Sequence, residues 1–105
     1  VIASVDLSHV GPRFGDGQPL SPSFLSVVER QNLLLLEKAA ALDAEGFLQQ
    51  IREEEDRTRI DAVPAIYAML KSLSLQPGRL LKYDQSVDGA GQTGVTFASM
   101  AFEAA

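Results

Sequence analysis

Near its C-terminus the chain changes period. Two stretches rich in Val, Phe, Tyr and Thr, 79–87 and 94–103, flank Asp88-Gly89-Ala90-Gly91-Gln92-Thr93. β-Branched and aromatic residues on either side of a glycine-rich turn read as a β-hairpin. At the other end, residues 1–7 form an apolar run with little alternation, the pattern of a strand covered on both faces. Between these ends lie three segments of helical period. The order strand, three helices, two strands predicts an α/β fold, in which one N-terminal strand and a C-terminal hairpin make a small mixed sheet with three helices packed on it.

The helices announce themselves through local chemistry. Ser21-Pro22 is a helix start: a serine to cap, then a proline at the first helical position, where its missing N–H costs nothing. Beyond it Phe24, Val28, Leu35, Ala39 and Leu42 form one stripe and the run 33–36 wraps further round, so a well-buried helix is expected. Asp43 caps a second helix carrying Ala44, Phe47, Leu48 and Ile51 at i, i+3, i+4 and i+7. A third, over 62–73, has Val63, Ile66, Tyr67, Leu70 and Leu73 on one face; Pro64 is tolerated in its first turn, and Pro77-Gly78 ends it.

Composition excludes several functions. At 105 residues and 46% hydrophobic content this is one small globular domain. The net charge of −5 and nine scattered basic residues argue against a nucleic-acid partner. With no cysteine, neither a disulfide nor a thiolate metal site exists within the chain, which is compatible with a cytoplasmic protein. No apolar run approaches the roughly 20 residues needed to span a bilayer, so no membrane partner is expected. The chain starts without Met inside a strand-like run, as a fragment of a larger domain would.

Asp6, Ser8 and His9 stand where the first strand gives way to a long Gly- and Pro-rich loop, and His9 is the one histidine. In sheets covered by helices, ligands bind outside the carboxyl ends of strands. A histidine with a carboxylate three positions away can be oriented by it and act as base or ligand, making His9 and Asp6 the candidate catalytic pair. The competing reading has Asp6 capping the loop and His9 packing at a rim. Ser8 beside His9 does not make a hydrolase: neighbours on a strand point to opposite faces, and no oxyanion-hole signature accompanies them. Asp61 reads as an ordinary helix N-cap. The acidic run 53–56 reads as a solvated face neutralised in large part by Arg52, Arg57 and Arg59. Arg13 and Asp16 have only their place in the long loop to recommend them.

With these pieces in order the chain resembles the C-terminal half of the MEMO family, whose fold is similar to class III extradiol dioxygenases. The residues that carry the likeness are 1–11, read against a strand ending in a Ser-Asp-x-Ser-His-type motif; Leu42-Asp43-Ala44-Glu45-Gly46-Phe47; Arg59-Ile60-Asp61-Ala62-Val63-Pro64; and the closing hairpin. The resemblance covers the whole chain but only about half of a family member. It implies a metal-centred cleft with His9, Asp6 and Asp61 as metal ligands, and a metal-dependent, dioxygenase-like oxidoreductase in the complete protein, using divalent iron, copper or zinc.

Two departures qualify what carries over. The family's other histidine ligands belong to the N-terminal half, and Asp61 stands where the family has a cysteine, which shifts metal preference toward harder cations. One histidine and no cysteine leave the metal site incomplete within this chain. The missing donors would come from the remaining half or from a second copy, and a homo-oligomer is also expected because a three-stranded sheet leaves an edge and an apolar face uncovered. The alternative is a non-enzymatic signalling module that holds a peptide or protein in the same cleft.

Overall fold

The computed structural model describes residues 1–105 except Glu55. Strand β1 (Ile2–Val10) leads through a single 3-10 turn at Pro12–Phe14 to helices α1 (Pro22–Ala40), α2 (Ala44–Glu53) and α3 (Val63–Ser72), then to strands β2 (Arg79–Val87) and β3 (Gly94–Ala101). This is the expected set of three strands and three helices. The sheet order is β1-β3-β2, and both pairings are antiparallel. The sheet is thus not mixed. β1 and β2 do run the same way, but the hairpin puts β3 between them, and no parallel pair touches among the described residues.

Local chemistry sets the helix starts as read. The Ser21 hydroxyl accepts from the Phe24 N–H at 3.2 Å, and the Asp43 carboxylate accepts from the Gly46 N–H at 2.9 Å. Helix α3 departs from the reading: its N-cap is Ala62, which makes no side-chain cap, and Pro64 in the first turn removes one N–H that would need one. Asp61 is therefore not the cap.

All three helices lie on one face of the sheet. Leu7 meets Leu35, Leu36 and Ala39 of α1, Phe47 and Ile51 of α2, Ile66 of α3, and Ala98 and Met100 of β3 in a single core. The other face of the sheet is open, so β1 is not covered on both sides: Ile2 is 65% exposed. Helix α1 is less buried than its leucine run implies. Its inward stripe is Val28, Asn32, Leu35, Leu36 and Ala39, while Phe24, Leu33 and Leu34 face out, because only one stripe of a helix can meet a single sheet layer.

β1 also runs longer than its apolar segment. Its register against β3 slips between Asp6 and His9: Asp6 pairs with Phe97 and His9 with Val95, so Leu7 and Ser8 together oppose Thr96. This is a β-bulge, with one extra residue on one strand. Leu7 and Ser8 are both fully buried.

Candidate functional site

The bulge decides where the polar residues of β1 go. On a regular strand, residues three apart point to opposite faces. With one residue absorbed by the bulge, Asp6 and His9 lie opposite Phe97 and Val95, two residues apart on β3, and so share the open face of the sheet. Asp6 is exposed there beside a shallow cleft of about 350 Å³ that it forms with Ser4, Lys82, Phe97 and Ser99.

Ser8 goes the other way, into the core. Its hydroxyl donates to Thr58 Oγ1 at 2.7 Å and accepts from Asn32 Nδ2 at 2.9 Å, and its N–H donates to Thr96 Oγ1 at 2.8 Å. Asn32 Oδ1 in turn accepts from Thr96 Oγ1 at 2.7 Å and from the Tyr83 hydroxyl at 2.9 Å. Gln85 Nε2 donates to Tyr83 Oη and to the Leu25 carbonyl. One amide on α1 thereby ties all three strands together. Burial pushes the Tyr83 phenol up from its ordinary value, against the hydrogen bond from Gln85, which keeps it a donor to Asn32. Ser8 is committed to this network and has no part in a nucleophilic pair.

His9 is held from several sides by the segment that precedes α3. Its N–H donates to the Thr58 carbonyl at 2.7 Å, and two residues earlier the Leu7 carbonyl accepts from the Asp61 N–H at 3.1 Å. Residues 58–61 thus run along the outer edge of β1 and cover its C-terminal end. The imidazole Nδ1 lies 3.0 Å from the Arg59 carbonyl, and the ring meets Phe14 edge-on at 5.5 Å between centroids. Arg59 Nη1 donates to the His9 carbonyl at 2.9 Å, and Nη2 pairs with Asp16 at 2.9 Å. The other Asp16 oxygen accepts from the Gly11 N–H at 2.7 Å. Burial raises the Asp16 carboxyl, but the Arg59 hydrogen bond, the Gly11 N–H and the Arg59 charge outweigh it, and the net shift is downward.

The three residues singled out as ligands therefore gather at one place by their backbones: Asp6 and His9 flank Leu7-Ser8, and Leu7 is bonded to Asp61. Their side chains do not join. No hydrogen bond or ion pair links Asp6, His9 and Asp61 among the described residues, and no three His, Asp or Glu side chains there come together to hold a metal ion. Asp6 does not orient His9; the backbone carbonyl of Arg59 does. Nor does Arg59 neutralise the acidic run, since its partner is Asp16. Of that run, Glu53 and Asp56 are exposed, and Glu55 lies outside the described residues.

Asn32 and Arg59 are the residues that reading by motif passed over. Asn32 carried a signal, a polar residue between Val28 and Leu35 on the buried stripe. Arg59 carried none, because its left-handed backbone (φ 56°) has no marker in a non-glycine residue.

A single layer of helices on one face of an antiparallel sheet, with the imidazole of His9 and the carboxylates of Asp6 and Asp84 on the bare face, is an α/β arrangement. The family model described as Memo-like protein matches residues 1–101. A MEMO1 family protein of Aquifex aeolicus is 34% identical over 105 residues, covering 97% of this chain and 26% of the relative. One from Thermus thermophilus is 36% identical over 83 residues, covering 79% of this chain and 24% of its own length. The chain belongs to the Memo-like family. It spans about a quarter of the length of each of these relatives, a smaller share than the half that the resemblance implied. No helix among the described residues is long and apolar enough to cross a membrane.

Proposed function

We propose that this chain supplies one wall of the cleft of a metal-dependent oxidoreductase, dioxygenase-like in fold, with His9 and Asp6 facing the reacting centre from the open side of the sheet. The observation that supports this most is the state of His9. Its Nδ1 is taken by a backbone carbonyl, while Nε2 has no partner among the described residues and is not one of the buried polar atoms left unpaired. An imidazole held in this way presents a free lone pair for a ligand bond or a proton.

One imidazole and one carboxylate are part of a donor set for divalent iron, copper or zinc, and a site of the oxygenase type needs two histidines with a carboxylate. The donors gathered here do not fit a complete site by themselves, so no reaction step is assigned through a metal. The remaining donors would come from another part of the complete protein or from a second copy, with Asp61 as a further, harder ligand from the edge of β1. The protein is taken to be cytoplasmic, in keeping with its cysteine-free composition.

The test is metal content. The complete protein, purified without chelator, is expected to hold one equivalent of iron, copper or zinc and to lose it on His9→Ala. An apo protein that takes up none of the three would sink the proposal. The exposed Ile2 and Phe97 on the same face favour a second reading, a surface that captures a peptide or protein. That reading expects His9→Ala to be silent and substitutions in 13–20 to weaken capture.

A further inference from the structure

We infer that Arg59 is a positioning residue for His9, which fixes the tautomer of its ring and so selects Nε2 as the reactive nitrogen. The inference rests on the reading of His9 as a functional group, and it names what sets that group's chemistry.

A carbonyl oxygen only accepts. The 3.0 Å contact between His9 Nδ1 and the Arg59 carbonyl therefore requires the proton on Nδ1, which leaves the lone pair of the neutral ring on Nε2. Neutral imidazole in water favours the opposite arrangement, with the proton on Nε2. The protein thus imposes the less common form, and it does so with main-chain geometry that the Arg59 side chain braces.

The brace has three parts. Arg59 sits at φ 56°, in the left-handed region that a side chain disfavours, and this turns its carbonyl toward the ring. Its guanidinium reaches back to the His9 carbonyl at 2.9 Å, so the two residues hold each other reciprocally. The second guanidinium nitrogen is fixed at 2.9 Å by Asp16, whose other oxygen is anchored at 2.7 Å on the Gly11 N–H, two residues beyond His9. Phe14, from the same loop, closes on the ring edge. A residue that merely tied the loop to the strand would need the guanidinium contacts alone; the carbonyl on Nδ1 adds a chemical consequence.

The experiment uses the single histidine. Long-range ¹H–¹⁵N correlation of the ¹⁵N-labelled 105-residue chain, with the imidazole neutral, reads one ring without overlap. Wild type is expected to show a pyrrole-type Nδ1 and a pyridine-type Nε2, in an excess of roughly tenfold over the other tautomer, because that tautomer would both lose the bond and set the Nδ1 lone pair against the carbonyl oxygen. Arg59→Gly keeps access to the positive φ while removing the guanidinium. It is expected to shift the ring toward the solution mixture of tautomers, with Arg59→Lys restoring part of the excess.

Asp16→Asn, which leaves Arg59 in place but weakens its anchor, is expected to cause a smaller shift in the same direction. A pyrrole-type Nε2 in wild type overturns the assignment even if every variant fails to fold. An unchanged tautomer ratio in a folded Arg59→Gly protein overturns the role of the side chain. Either result leaves the metal reading to its own assay, which measures bound metal in the complete protein.

Discussion

On the helix side of the sheet Gly94, Thr96, Ala98 and Met100 of β3 are all buried, whereas on the other side Phe97 is 37% exposed and Asp6, Lys82 and Asp84 are open to water. The two faces differ in what a residue there is asked to do. Inside, each side chain is fixed by packing or by the hydrogen bonds of Asn32, and a change in any one leaves its neighbours unmatched. Outside, Asp6, Lys82 and Asp84 are free to serve a ligand, and His9, though held at Nδ1, keeps Nε2 without a partner among the described residues. Stability and candidate chemistry are thus carried by alternate residues of the same strands.

Substitutions can break this comparison, and the inward positions should weigh most. Leu7→Ala, in the middle of the core, is expected to cost about 3 kcal/mol in a denaturant titration. A loss no larger than that of an outward residue would contradict the division.

Asn32→Leu tests the polar half of the interior. It removes the partner of Ser8, Thr96 and Tyr83 at once, for an expected cost of about 2 kcal/mol or more by thermal or chemical unfolding, despite the gain in apolar surface. An unchanged midpoint would mean that the network adds nothing.

Asp16→Asn sits between the two faces. Its ion pair is partly exposed and is expected to contribute at most about 1 kcal/mol. The sign follows from the lowered carboxyl of Asp16 in the folded state. That contribution is fully present above the unfolded value of about 3.9 and is lost as the pH falls below it through the lower folded value. Unfolding curves of wild type and variant should differ at neutral pH and converge in acid. Asp6→Ala, on the open face, is expected to change stability by less than about 0.5 kcal/mol, so that any effect it has on metal or ligand binding is a binding effect.

Much of the fold was legible because its signals are local. Ser21-Pro22 and Asp43 mark helix starts through bonds to N–H groups three residues on, and the glycine-rich hairpin turn needs only its own residues, with Asp88 accepting from the Gln92 N–H at 2.8 Å. Asp61 misled because an aspartate before a helix is so often a cap; here its N–H is used by β1 and the cap falls to Ala62.

The site was legible only in part. Asp6 and His9 stood out as candidates by residue type, but the bulge that puts them on one face did not, since Leu7-Ser8 carries no glycine to mark it. The partner of His9 was out of reach too, because the Arg59 carbonyl belongs to every residue type and only the folded backbone brings it to the ring.

The bulge has a consequence for how this segment could tolerate change in length. A flat strand would put the two open-face residues on one side with a single residue between them; the spacing seen here has two, and both point inward. The surplus residue is Ser8, which carries the hydroxyl that meets Asn32. Deleting Ser8 should therefore flatten the strand and keep Asp6 and His9 facing outward, but cut the interior anchor and one of the two edge bonds to residues 58–61, since the Leu7 carbonyl and the His9 N–H would then share one peptide and point opposite ways. The distance in sequence between the aspartate and the histidine is then a record of what the core and the covered edge of the strand both need.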